Sequence, residues 1–290
     1  MLSADVVYGI AGLELRARVV AEGLLAGGHR SKRFGSSAEF AEHKLYSPGD
    51  DLRRLDWKAV ARLDRLFVRR YEDESRLDVV LVVDASESMA YAGGAQGRLG
   101  RSKLEVAKTL AAALAWLAVS RADAPGLSVF AGTELLQIPA RGRRDHLSQL
   151  IAALEVQQPH GPTALRETLE RVGDRLTRRS VVIVLSDLID CGPGALEPLG
   201  VLRKRGSDAF VLQVLHADEL DFPFDGVVRF EDLEGDRAVQ VDAPLVRKAY
   251  LEEMQRFLDE IRVACGQHDV RHHLCRSDES PVLTLAEVLH

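Results

Sequence analysis

Asp84, Ser86 and Ser88 alternate at the end of "VVLVVDASESM" (79–89), where an apolar run stops in an acid and two hydroxyls. Two kinds of chemistry fit that spacing. Asp and Ser hydrogen-bond their own backbone, so the triplet can make the turn that follows a strand. The same oxygens can converge on a hard cation, which takes oxygen ligands. Two other segments bear on the choice. "PHGPTAL" (159–165) holds Thr163 where a loop becomes a helix, and "SVVIVLSD" (180–187) again ends an apolar run in Ser and an acid, Asp187. Singly, Thr163 reads as a helix N-cap and Asp187 as a turn acid. Together with Asp84, Ser86 and Ser88 they form an all-oxygen set, which suits magnesium, manganese or calcium rather than zinc. Neutral hydroxyls dominate it, so a dication would be only partly balanced and would attract a carboxylate from outside.

These residues can meet only if the elements between them bring them together. "DVVLVVD" (78–84) is too apolar to have a wet face, which suits a central parallel strand. Ser102 and Glu105 make an S-x-x-E capping box opening a helix, with Leu104, Ala107, Ala111, Leu114 and Ala118 inward. "LSVFAG" (127–132) and "ELLQIPA" (134–140) read as a hairpin about Gly132-Thr133. Helices are predicted at 13–26, about 143–155, from Thr163 to about 178, and near 194–205, with "AFVLQVLHA" (209–217) as a further strand. A second hairpin around Glu234-Gly235 (226–241), a long helix (244–265), a strand (269–275) and a closing helix in "PVLTLAEVLH" complete the chain. Alternating strands and helices predict an α/β fold, a doubly wound, mostly parallel sheet with helices on both faces. Such sheets bind ligands beyond the carboxyl ends of their strands, where Asp84 and Asp187 fall.

The remaining composition narrows the function. A net charge of −6 argues against a general nucleic-acid binder. Residues 30–71 nevertheless carry eleven Lys/Arg against six Asp/Glu and no long periodic run, which predicts an irregular basic arm. Its acids and arginines interleave, so they can pair with one another. No aromatic series accompanies the charge to stack nucleic-acid bases, and Tyr46 and Trp57 read as packing anchors. Three cysteines, Cys191, Cys265 and Cys275, are too few and odd in number for a disulfide framework, so a reducing compartment is expected. The first twenty residues mix acids and arginines and lack the profile of a signal peptide. The expectation is a soluble, cytoplasmic protein with an N-terminal helix and arm (1–75) and an α/β domain (76–290).

Asp84-x-Ser86-x-Ser88, Thr163 and Asp187, in that order and spacing, resemble the metal-ion-dependent adhesion site of von Willebrand factor A-like domains. The resemblance implies a Rossmann-type fold in which the serines and the threonine coordinate the ion and the aspartates act directly or through water. It also implies that a partner's acidic side chain completes the shell. "YSPGDDLRRLDWKAVARLDRLFVRRYEDE" (46–74) is similar to the signature of the domain of unknown function 58 family, Y-x-P-G-D-D-x-R-x-I-D-W followed by A-R. That resemblance covers roughly 30–190 and implies a MoxR-type AAA+ ATPase, or a client delivered to one, as partner.

Competing chemistries fit less well. "GGAQGRLGRSK" (93–103) lies where a phosphate loop would, but Gly100 is followed by Arg101 and the G-K-[ST] register fails, leaving a flexible loop beside the metal site. In "CGQHDVRHHLC" (265–275), His272 and His273 would point to opposite faces of a strand, so zinc ligands diverge. A metal-dependent phosphohydrolase using Asp84 as nucleophile would want an acid at position 86, where there is Ser86, and a lysine placed on the phosphate, which the motif lacks. The resulting expectation is a non-enzymatic, metal-dependent protein-interaction domain; phosphohydrolysis, or nucleic-acid binding through the arm, are the alternatives.

Overall fold

The runs read as buried strands form the middle of one sheet. β3 (Asp78–Asp84) pairs in parallel with β6 (Ser180–Ser186) on one side and β4 (Ala124–Ala131) on the other. The structure, a computed structural model, describes residues 12–26, 43–45, 67–69, 76–94, 100–176, 179–231 and 238–289. Beyond β6 lie β7 (Asp208–Leu215) and β10 (Arg271–Arg276), both parallel, and beyond β4 the antiparallel β5 (Glu134–Ile138). The order β10-β7-β6-β3-β4-β5 means the chain builds outward from β3 in one direction, then returns to its other flank with β6. The switch point therefore falls between β3 and β6, beside Asp84 and Asp187.

Helices cover both faces, as the alternation predicts. α4 (Leu165–Arg175), α5 (Glu197–Lys204) and α7 (Ala243–Gln267) bury one face, where Leu169, Leu199 and Ile261 pack against Val80, Val82, Val182 and Val211. The other face carries α2 (Lys103–Ser120) and α3 (Arg144–Glu155), with α1 (Leu13–Ala26) laid over α2. That outer cover explains a difference from the sequence reading. α2 is buried nearly all round, through Lys108, Thr109 and Ala112 as well as the inward stripe. Its alanines let α1 approach closely. The capping box forms as read: Glu105 N donates to Ser102 Oγ at 3.1 Å, and Ser102 N donates to Glu105 Oε2 at 3.0 Å.

β4 begins at Ala124, three residues earlier than the apolar run suggests, and so includes Pro125 and Gly126. Proline is tolerated because the β5 ladder stops at Leu127; at Pro125 the carbonyl accepts Arg141 N at 3.2 Å, and among the described residues no strand partner calls on the missing N–H. α6 (Ala217–Asp221), a short helix after β7, is followed by Phe222, which stacks on Phe230, meets Phe224 edge-on and lies tilted against Tyr250. These rings anchor the antiparallel hairpin of β8 (Val227–Glu231) and β9 (Ala238–Asp242) to α7. Its turn at Glu234-Gly235 lies outside the described residues. α8 (Pro281–Val288) closes the larger unit.

A second compact unit contains β1 (His43–Leu45) and β2 (Phe67–Arg69), which pair antiparallel with Lys44 opposite Val68. The rest of the basic arm, including Tyr46, Arg53 and Trp57, lies outside the described residues, as do residues 95–99 of the glycine-rich loop. Among the described residues, no helix is long and apolar enough to cross a membrane.

Candidate metal centre

Main-chain hydrogen bonds lace the loops at this edge of the sheet. Ala85 N donates to Phe130 O (2.8 Å), His160 N to Ala85 O (2.9 Å), Glu87 N to Gly161 O (2.8 Å) and Gly132 N to Pro162 O (2.7 Å). The segments after β3 and β4 and the one before α4 are thus fixed to one another by backbone alone.

The oxygens follow from this lacing. Asp84 Oδ1 accepts Ser86 N at 2.9 Å, the turn expected of an Asp at a strand end. Its Oδ2 accepts Ser186 Oγ at 2.6 Å and Thr163 Oγ1 at 3.3 Å. Ser86 Oγ and Ser88 Oγ lie 3.2 Å apart. So the D-x-S-x-S stretch makes its turn and still gathers its side-chain oxygens. Thr163 does not cap its helix: Ala164 holds the N-cap position, and the threonine hydroxyl is turned to Asp84. Asp84, Ser86 and Asp187 are buried, whereas Ser88 and Thr163 are half-buried, so hydroxyls form the solvent side.

Asp187 is held differently from Asp84. Oδ1 accepts Ile189 N at 3.1 Å, and Oδ2 accepts the Lys103 ammonium at 2.7 Å. Lys103 Nζ also donates to Glu219 Oε1 at 2.7 Å. A lysine does therefore stand at this edge, contrary to the sequence reading, but it is committed to two carboxylates rather than open to a phosphate. Behind Asp187, Gln213 Nε2 donates to the Asp187 carbonyl at 3.2 Å, and Gln213 Oε1 pairs with His272 Nε2 at 2.9 Å. The loop that follows has left-handed backbone at Leu188 and Asp190, φ 62° at each, a costly conformation for residues with a Cβ.

Burial, and then the neighbouring Asp187 carboxylate, push Asp84 up to about 6. The same burial, with both aspartates near, pushes the Cys191 thiol up to about 12. The edge is thus rich in negative charge: Asp187 and Glu219 share the Lys103 ammonium, and the Asp84 carboxylate stands close enough to Asp187 to feel its charge. Among the described residues, no three His, Cys, Asp or Glu side chains form a metal-holding group, so a metal here would depend on hydroxyls. A hard dication fits that donor set and its excess charge; Asp84, Ser86, Ser88 and Thr163 would hold it, with Asp187 behind them. The histidines of β10 diverge as read: His272 faces Gln213, and His273 Nε2 lies 3.8 Å from Glu287 Oε2.

His272 gives a pH expectation. Burial, then Arg262 and His273 nearby, lower it from 6.5 to about 4, favouring the neutral ring. Its contribution is present above 6.5 and is lost as pH falls toward 4, where the unfolded chain takes up the proton first. Through this group, acidification across that window should cost about 1–2 kcal/mol, discounted for the ring's partial exposure. Asp84 shifts stability the other way over the same window, so the loss is read as the difference between wild type and His272→Gln in urea melts at its two ends.

The family model described as "Protein of unknown function DUF58" matches residues 42–258. An uncharacterized protein of Mycobacterium tuberculosis is 30% identical over 227 residues, spanning 77% of this chain and 69% of that protein, and one of Mycobacterium bovis matches equally. Among solved structures, one described as an aerotolerance-related membrane protein from Bacteroides fragilis aligns over 73% of this chain and 96% of that one, at 20% identity and a TM-score of 0.47. A conserved hypothetical protein, BatB from Bacteroides thetaiotaomicron, covers 73% and 95% at 19% identity and a TM-score of 0.44.

Proposed function

We propose that this chain, which belongs to the DUF58 family of proteins of unknown function, is a non-enzymatic protein-interaction domain of the von Willebrand A-like kind. Its partner binding depends on a divalent ion, magnesium or manganese before calcium, held by Asp84, Ser86, Ser88, Thr163 and Asp187. One observation carries the reading: Asp84, Ser86, Ser88 and Thr163 cluster at the switch point, with the half-buried Ser88 and Thr163 on its solvent side. Bound there, the ion supplies a Lewis-acidic contact for an outside carboxylate. The chain's part is to hold Asp84 away from water, to keep the Ser88 and Thr163 hydroxyls gathered beside Ser86 and Asp84, and to fix the loops through their backbone bonds. The partner we assign, on the family resemblance, is a MoxR-type AAA+ ATPase or a client delivered to one, with the protein acting in assembly or maturation of others in the cytoplasm.

Phosphohydrolysis is the weaker reading for two reasons in the geometry. The position that would protonate a leaving group is the buried Ser86, and the lysine at this edge is bound by Asp187 and Glu219. The test uses one protein sample for both readings. Manganese titrated into the wild-type chain, with free aquo-manganese followed by electron paramagnetic resonance, should show one tight site that is lost in Asp84→Ala. The same manganese-loaded sample should not hydrolyse 4-nitrophenyl phosphate. Turnover that disappears in Asp84→Asn would establish the hydrolase instead.

A further inference from the structure

Lys103 is the first residue of α2, directly after its N-cap Ser102. A cation there faces the positive end of the helix dipole. It is also 1% exposed, and burying an ammonium is costly unless carboxylates offset the loss of water. An apolar side chain would fill the position with less penalty, and the capping box needs only Ser102 and Glu105. What the lysine alone supplies is a charge between Asp187 Oδ2 and Glu219 Oε1, 2.7 Å from each.

That charge changes what Asp187 can offer. With Ile189 N on one oxygen and Lys103 on the other, both of its oxygens receive donors from the chain. Among the described residues, the donors to Asp84 are neutral: Ser86, Thr163 and Ser186. Of the two aspartates at the switch point, one therefore has neutral donors and the other is tied to an ammonium. We infer that Lys103 sets the selectivity of the candidate centre: by pairing with Asp187 it keeps a bound dication short of negative charge, so that the ion recruits an acidic ligand from outside. This rests on the proposed metal centre and goes beyond it by naming the positioning residue that tunes it. The arrangement trades affinity for the ion against affinity for the ligand.

The test uses manganese and acetate with the full-length protein. Because the two ligands are thermodynamically linked, acetate should tighten manganese binding by the same factor as manganese tightens acetate. In wild type, saturating acetate should tighten manganese about fivefold relative to chloride at equal ionic strength. The double variant Lys103→Met/Glu219→Gln removes one charge of each sign, so the net charge of the cluster is unchanged while Asp187 is released. It should bind manganese about tenfold tighter, with the acetate effect reduced below about twofold. Glu219→Gln alone, at the more exposed end of the triad, leaves Lys103 wholly on Asp187. It should bind manganese severalfold more weakly and keep the acetate effect, which a purely structural role for the triad would not produce. If the double variant fails to fold, Glu219→Gln decides. Unchanged manganese affinity in that variant overturns the role of Lys103, as does an unchanged acetate effect in the folded double variant. Wild-type protein that binds no manganese overturns this inference together with the metal centre, whereas binding with no variant effect overturns this inference alone.

Discussion

Magnesium should raise the melting temperature of the wild-type protein by about 5–10 °C, and Asp84→Asn should remove that rise while melting higher than wild type in chelator. The first half is mass action: a ligand at a hundred times its dissociation constant adds about 2.7 kcal/mol to a folded state that alone binds it. The second half follows from where Asp84 sits. Burial and the adjacent Asp187 push it up to about 6, above its ordinary 3.8, so the folded protein favours the protonated acid. Its contribution is then fully present below 3.8 and is lost as pH rises through about 6. At about pH 8 the buried anion costs on the order of 2–3 kcal/mol when no cation answers it. Asparagine removes that charge, keeps an acceptor for Ser86 N, and loses part of the pairing with Ser186 and Thr163. A net gain of about 1–2 kcal/mol remains, a few degrees for a domain of this size. The measurement is a set of calorimetric scans at about pH 8 and about pH 5, with magnesium and with chelator. A magnesium rise of equal size in Asp84→Asn would place the ion elsewhere, and an unchanged melting point in chelator would show that Asp84 is not strained by its charge.

Much of this architecture was legible in the chain because each local signal agreed with the fold. The apolar runs ending at Asp84 and Ser186, the box at Ser102 and Glu105, and the break at Gly132-Thr133 each correspond to an observed element end. Asp84, Ser86, Ser88 and Thr163 were readable for the same reason, since a strand end and a helix start fix where each must lie. The partners of Asp187 were not. Lys103 in "GRSKLEV" and Glu219 lie 116 residues apart and share no motif. Only the sheet order brings the start of α2, the end of β6 and the turn after β7 to one point. One local sign was available: a cation in the first turn of a helix opposes the dipole, and such conflicts tend to mark functional positions. Gln213 had no sign at all, being a polar residue inside an apolar strand whose two bonds run to Asp187 and His272.

Ser88→Ala should weaken partner binding at least about tenfold and erase its dependence on magnesium. Ser88 is the half-buried hydroxyl beside the buried Ser86, 3.2 Å away, and alanine removes its oxygen without adding bulk. The loops keep their shape in the variant, because Ala85, Glu87, His160 and Gly132 are tied through their backbones. Loss of binding would then report the ligand set and not a collapsed site. On the proposed reading, a partner's carboxylate would gain a metal bond where the ion is short of charge, and a lysine presented at the same point would be repelled. Arg53, in the arm outside the described residues, should contribute separately, and Arg53→Ala should add to Ser88→Ala if the two surfaces do not communicate. The measurement is a pair of titrations against a MoxR-type ATPase or its client, with magnesium and with chelator. Wild-type affinity that survives chelation would refute metal-bridged binding. It would leave the site a structural staple for the three loops.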